Sequence, residues 1–185
     1  LSIVDYPGFE DQEAPDMETY SKALNAGQYP LSVLAMNSFA AGLYRKGVYG
    51  NTMTSNPRAL DVACAVLDSI TPELRDNIRR RGAELLSRLE AVREEVGDRV
   101  TGVQGTGLLL SVELDGRRYK SYGAGSTEEY LRFKGLNVIH GGENSLRFTP
   151  NFPITGEEVE LIVELTRDAI LNGPVKASAS EAEAA

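Results

Sequence analysis

The sequence predicts an α/β chain that ends in an α+β module, and three features point there. The run Leu-Ser-Val-Leu-Ala-Met at residues 31–36 is apolar enough to be buried on both faces, as a strand in the sheet of a layered α/β protein is. From Asn56 to Gly97 apolar residues recur at helical spacing, interrupted only by Thr71-Pro72. After Val100, strand-like and helix-like stretches alternate, and two helices open on capping boxes.

Taken in order, residues 1–15 carry Pro7, Gly8, Pro15 and several acids and read as loop. Residues 17–20 form a short strand, residues 31–36 a second, and residues 37–44 a short helix. Residues 47–55 are a polar, glycine-bearing loop. Asn56 then caps a helix whose first position suits Pro57. Its stripe is Leu60, Ala63, Cys64, Leu67 and Ile70, which makes Cys64 a small core residue rather than a nucleophile. The next helix starts at Thr71-Pro72 and carries Leu74, Ile78, Leu85, Leu86, Leu89, Val92 and Val96 to a stop at Gly97. Its Arg and Glu residues form the solvated face. Residues 100–114 have strand character. Ser126-Thr127-Glu128-Glu129 opens a helix that runs to Phe133. Residues 137–140 and 145–149 are strands about the Gly141-Gly142 turn. Thr155-Gly156-Glu157-Glu158 opens the last helix, with Val159, Ile162, Val163 and Ile170 on one face.

The bulk properties exclude several classes. The 185 residues suffice for one domain or parts of two, and 42% hydrophobic with 25% charged residues is a globular composition. A net charge of −8 argues against a nucleic-acid surface, though not against a small anionic ligand. One cysteine allows no intrachain disulfide and argues against a thiolate metal cluster. No apolar run is long enough for a bilayer, and residues 1–5 lack the basic start and apolar stretch of a signal peptide. The expectation is a cytoplasmic protein with no membrane partner. The absent initiator Met fits a cleaved or truncated start, and the Ala/Ser/Glu-rich end, residues 173–185, is expected to be a mobile tail.

Three segments carry candidate chemistry. Lys22 stands in Pro-Asp-Met-Glu-Thr-Tyr-Ser-Lys-Ala-Leu-Asn-Ala-Gly-Gln-Tyr-Pro-Leu-Ser, residues 15–32. A lysine between a strand and a Gly turn is an amine nucleophile if desolvation or a nearby cation lowers its pKa. On the residues alone, an ordinary surface lysine is the better reading. The second segment is Tyr-Gly-Asn-Thr-Met-Thr-Ser-Asn-Pro, residues 49–57, whose hydroxyls and loop amides are good donors to phosphate or plain polar cap residues. The third is Leu146-Arg147-Phe148-Thr149-Pro150, with one arginine in an apolar strand. Such a charge calls for a partner, either a protein carboxylate in a salt bridge or a ligand. Gly105-Thr106-Gly107-Leu108 with Glu113 reads as structural, its glycines permitting close packing. The single histidine, His140, reads the same way.

These segments resemble the class III aminotransferases, enzymes of the fold type I pyridoxal 5'-phosphate (PLP) group. The resemblance covers about residues 12–172 but only the later part of the family's length. It implies that Lys22 binds the cofactor aldehyde covalently and moves the proton in catalysis. It implies that Thr52 binds the cofactor phosphate of a neighbouring subunit in a homodimer. Thr54-Ser55 stand where the family has two glycines, which leaves Thr54 as a competitor for that role. It implies that Arg147 holds the substrate carboxylate, with Asn151 in place of a common second proline. By the same resemblance, residues 1–50 end a large PLP-binding α/β domain and residues 51–172 are mainly the small C-terminal α+β domain. The implied reaction moves an amino group from an amine or amino acid to an oxo acid. Aminomutases, decarboxylases and racemases of the same fold use the same lysine. The family's ring-nitrogen acid, phosphate turn and stacking aromatic lie before the lysine segment and have no counterpart here. Asp5 and Asp16 are poor substitutes for the acid. The isolated chain is therefore expected to be silent, or only a folding or dimerisation fragment.

Overall fold

The structure is a computed structural model that describes residues 8–48, 50 and 56–176. By its internal packing the chain divides into two units, Leu1–Thr71 and Pro72–Ala185.

In the first unit, β1 (Met17–Ser21) pairs antiparallel with β2 (Ser32–Met36), in register from Met17 opposite Met36 to Ser21 opposite Ser32. Asn37 ends the ladder and starts a helix with one side chain. Its Oδ1 accepts from the Ala40 N–H at 2.9 Å and its Nδ2 donates to Asp16 Oδ1 at 2.6 Å. The helix is α1 (Ser38–Leu43). The expected Asn56-Pro57 start is present in α2 (Pro57–Ser69), where Asn56 Oδ1 accepts from the Arg58 N–H and Pro57 fills the first helical position.

Two expectations fail in this unit. β2 was read as buried on both faces, yet every residue of it is exposed. The ladder has only two strands, and no layer covers it among the described residues. Cys64 was read as a core residue and is exposed. The reason is rotational: α2 turns Ala59 and Ala63 inward, which leaves the stripe Leu60, Cys64 and Leu67 facing outward.

The second unit begins with α3 (Pro72–Val96), a long amphipathic helix ended by Gly97 at φ +64°. The strand-like residues 100–114 fold as a hairpin, β3 (Val100–Thr106) and β4 (Leu109–Leu114), about Gly107 and Leu108. α4 (Thr127–Phe133), β5 (Ile139–Gly141), β6 (Ser145–Phe148) and α5 (Gly156–Asn172) follow. The sheet order is β3-β4-β6-β5, antiparallel throughout. Thr155 and Glu158 make both bonds of a capping box at α5. At α4, Ser126 caps the Glu129 N–H, while the Glu129 carboxylate accepts from Gly125.

The core of this unit lies between the sheet and its helices. Leu85, Leu89 and Val92 of α3 meet Leu110, Val112 and Leu114 of β4, Leu146 and Phe148 of β6, and Val159, Ile162 and Ile170 of α5. Each large side chain so buried contributes about 1.5–3 kcal/mol. Gly82 sets how near α3 comes to the hairpin, since a Cβ there would lie 2.2 Å from the Gly107 carbonyl oxygen. Tyr119 is buried and donates its hydroxyl proton to the Ile170 carbonyl at 2.7 Å. Lys176 is tied back by its N–H to the Arg118 carbonyl. Residues 177–185 of the expected tail lie outside the described residues.

Candidate active site

Lys22 follows directly on β1, so the strand aims the chain and the next turn presents the side chain. The last ladder pair, Ser21 and Ser32, is joined by a hydroxyl bond of 3.1 Å. Lys22 then takes φ +58°, a left-handed conformation that a non-glycine residue rarely adopts. It opens a 3₁₀ turn over Lys22–Asn25, closed by Ala26 at φ +47°. The Lys22 side chain is exposed, and its amine has no hydrogen-bond or ion-pair partner among the described residues.

The turn is fastened from below by Asn25, which is fully buried. Its Nδ2 donates to the Ala59 carbonyl in α2 at 2.6 Å, and its Oδ1 accepts from the Tyr29 N–H at 2.6 Å. The sequence reading passed over this residue. An asparagine beside Ala-Gly looks like ordinary turn chemistry, and its partner in α2 is 34 residues away in sequence.

Arg147 lies in the second unit, on β6. Leu146 and Phe148 on either side of it enter the core, so the strand's alternation sends Arg147 to the opposite, exposed face. It stands in one cross-strand row with Gln104, Ser111 and Ile139. Glu113 is the carboxylate on that face nearest in register, and it leans toward β3: its Oε2 lies 3.3 Å from where a Gly102 Cβ would be. Among the described residues Arg147 forms no salt bridge, because on an exposed face nothing forces a partner on it. Arg117, Arg118, Arg132 and Arg167, by contrast, are each paired with a carboxylate. The hydrogen bond from the Arg117 side chain holds the Asp115 carboxyl below the usual aspartate range.

The remaining candidates resolve unevenly. Thr52 and its competitor Thr54 lie outside the described residues. Asp5 does too, whereas Asp16 is engaged by Asn37 at the foot of β1. His140 is exposed and its ring packs on Tyr122, with centroids 4.1 Å apart. Gly105 is structural as expected, since a Cβ there would lie 2.7 Å from the Leu109 carbonyl oxygen. Among the described residues no group of His, Cys, Asp or Glu is placed to hold a metal. No described helix is long and apolar enough to cross a membrane. Lys22 and Arg147 belong to different units, each with its own geometry.

Known proteins converge on one family. The Aminotransferase class-III family model matches residues 9–170. The ornithine aminotransferase of Bordetella pertussis is 32% identical over 149 residues, which cover 78% of this chain and 34% of that protein. The acetylornithine aminotransferase of Elizabethkingia anophelis superimposes with a TM-score of 0.77 at 28% identity, over 88% of this chain and 42% of that one. An ornithine aminotransferase structure from Toxoplasma gondii, with PLP at partial occupancy in its active site, has a TM-score of 0.77 at 26% identity, over 87% of this chain and 38% of its own. The chain thus spans about a third of the length of the curated relatives it matches. By the extent of the match and the fold it shares with these enzymes, the chain belongs to the class-III aminotransferases.

Proposed function

We propose that these residues form the later part of a PLP-dependent aminotransferase, which moves an amino group from an amino acid or amine to an oxo acid. The observation that carries the reading is the family match over residues 9–170, inside which Lys22 stands on a left-handed turn at the end of β1 with no partner among the described residues. An amine without a carboxylate partner among the described residues is open to an aldehyde once a bound cofactor desolvates it, and an exposed arginine likewise without one suits a carboxylate. In this reading residues 1–50 end the large domain and residues 51–172 are mainly the small one. The relatives' names make a basic amino acid of the ornithine or acetylornithine type the donor to test first.

PLP, when bound, supplies the electron-withdrawing ring that makes the hydrogen on the substrate's amine-bearing carbon acidic. Lys22 would hold the cofactor through Nζ, and the same Nζ, when free, would be the group that moves the proton at the substrate's amine-bearing carbon. Arg147 orients a substrate carboxylate with its planar fork, which a lysine does not reproduce. Thr52, or its competitor Thr54, would donate a hydroxyl to the phosphate of a partner subunit's cofactor, which would make the enzyme a homodimer; a cytoplasmic location is part of the same proposal.

Borohydride reduction of the full-length enzyme with PLP, followed by peptide mapping, tests the reading. The pyridoxyl group is expected on Lys22, and an adduct on Lys46 or Lys134 overturns it. Arg147→Ala is expected to damage turnover of carboxylate-bearing donors and to spare an amine without one. Equal loss for both would make Arg147 structural.

A further inference from the structure

We propose that Asn25 is a positioning residue for Lys22, holding the turn on which the lysine stands in its left-handed form by clamping it to α2. The proposal rests on the reading of Lys22 as the lysine that links to PLP. Lys22 at φ +58° and Ala26 at φ +47° are two non-glycine residues in a conformation that L side chains disfavour, and they bracket Asn25. Such a backbone persists only where its surroundings over-determine it. Asn25 is the group that does so. Its side chain is fully buried, with one bond forward to the Tyr29 N–H and one across to the Ala59 carbonyl, both 2.6 Å. Its own carbonyl accepts from the Gln28 N–H at 2.9 Å, which makes the turn's exit rigid as well.

The orientation of the amide follows from its partners. Flipped, the Asn25 NH₂ would face the Tyr29 N–H, donor against donor, and its oxygen would face the Ala59 oxygen. The group therefore needs one donor and one acceptor at fixed positions. Aspartate keeps the acceptor but sets a carboxylate against the Ala59 carbonyl, and alanine supplies neither. Ala59 itself is fully buried in the first turn of α2, so the anchor does not move with solvent-exposed side chains.

The experiment compares Asn25→Ala and Asn25→Asp with the wild-type full-length enzyme loaded with PLP. A relaxed turn lets Lys22 Nζ wander from the carbon whose proton it moves, while the substrate's binding groups stay in place. The expected result is a kcat at least tenfold lower in both variants, with KM for the amino donor changed less than threefold. The visible absorbance of bound PLP should also be shifted, and borohydride should still map the adduct to Lys22. A purely structural Asn25 would lower the amount of active enzyme and its Tm, but leave kcat per PLP-loaded site and the absorbance at wild-type values. That result overturns the proposal, as does failure of both variants to yield folded protein. A wild-type adduct on another lysine defeats the underlying reading of Lys22 instead, so the two failures are distinguishable.

Discussion

The two units of this chain spend their apolar residues in opposite ways. Residues 72–176 fold them inward around Leu85, Leu89, Leu110, Leu146 and Ile170. Residues 8–71 bury Ala40, Ala59, Ala63 and Asn25, and leave Val33, Leu34, Met36, Phe39, Leu43, Leu60 and Leu67 exposed. The second unit thus holds its stabilisation within itself. The first carries a strand with the composition of a sheet interior and an α2 stripe at helical spacing, neither of which the described residues cover. The difference teaches that apolar patterning records what a segment is built to lie against, and that the cover need not be in the same stretch of chain. It also separates the two residues to which roles are proposed: Lys22 lies in the unit with little core, Arg147 in the self-sufficient one.

That division can be broken by experiment. The largest effect is expected at Lys22. In the full-length enzyme Lys22→Ala should cost turnover about 10²–10⁴-fold or more through loss of the proton carrier. The Tm of the enzyme freed of PLP should not fall, which differential scanning calorimetry checks. Next come the cores. Leu89→Ala should destabilise the 185-residue chain by about 2–5 kcal/mol in urea melts, because Leu89 is buried in a closed core. Leu34→Ala should change it by less than about 0.5 kcal/mol, because Leu34 is 49% exposed. Equal costs would mean that the first unit has a core after all.

A smaller effect is expected at Gly82→Ala. The added methyl meets the Gly107 backbone, which does not swing away as a side chain does, so α3 and the hairpin must part at a cost of about 1–3 kcal/mol. Smallest is the acid response at Asp168. Hydrogen bonds from Asn172 and Tyr130 hold its carboxyl below the usual aspartate range, with Lys134 adding charge. A depressed native pKa means stability that is present above the unfolded pKa and lost as pH falls through the native one. The Tm deficit of Asp168→Asn should thus be largest near neutrality and shrink to nothing in strong acid. A deficit that grows on acidification would reverse the sign.

What the sequence made legible was mostly local. Asn56-Pro57, the Gly97 stop and the Thr155-Glu158 box are decided by a few neighbouring residues, and each stands where it was expected. The stripe of α3 was legible because its whole length packs on one core. Cys64 was misread because periodicity finds an apolar stripe without saying whether anything lies on it. Arg147 was placed in the right strand, but no protein carboxylate pairs with it among the described residues, since strand alternation and not hydrophobic context decides which face a residue takes. Asn25 was invisible because its function in the fold is a bond to a helix far along the chain. The chemistry proposed for Lys22 rests on likeness to a family, as nothing in its neighbours' composition distinguishes it from a surface lysine.

The left-handed backbone at Lys22 has an evolutionary consequence. An L-residue in that conformation gives up about 1–2 kcal/mol that glycine does not, so folding alone favours replacing this lysine. If Lys22 carries the proposed reaction, that gain is forbidden in a lineage where the reaction is under selection, because the replacement removes the amine. In a duplicated copy released from catalysis, it becomes available in a single step. Loss of the lysine would then be a route downhill, and descendants of this fold that have turned to other work are expected to carry glycine or asparagine at this position and to melt at higher temperature than their catalytic kin.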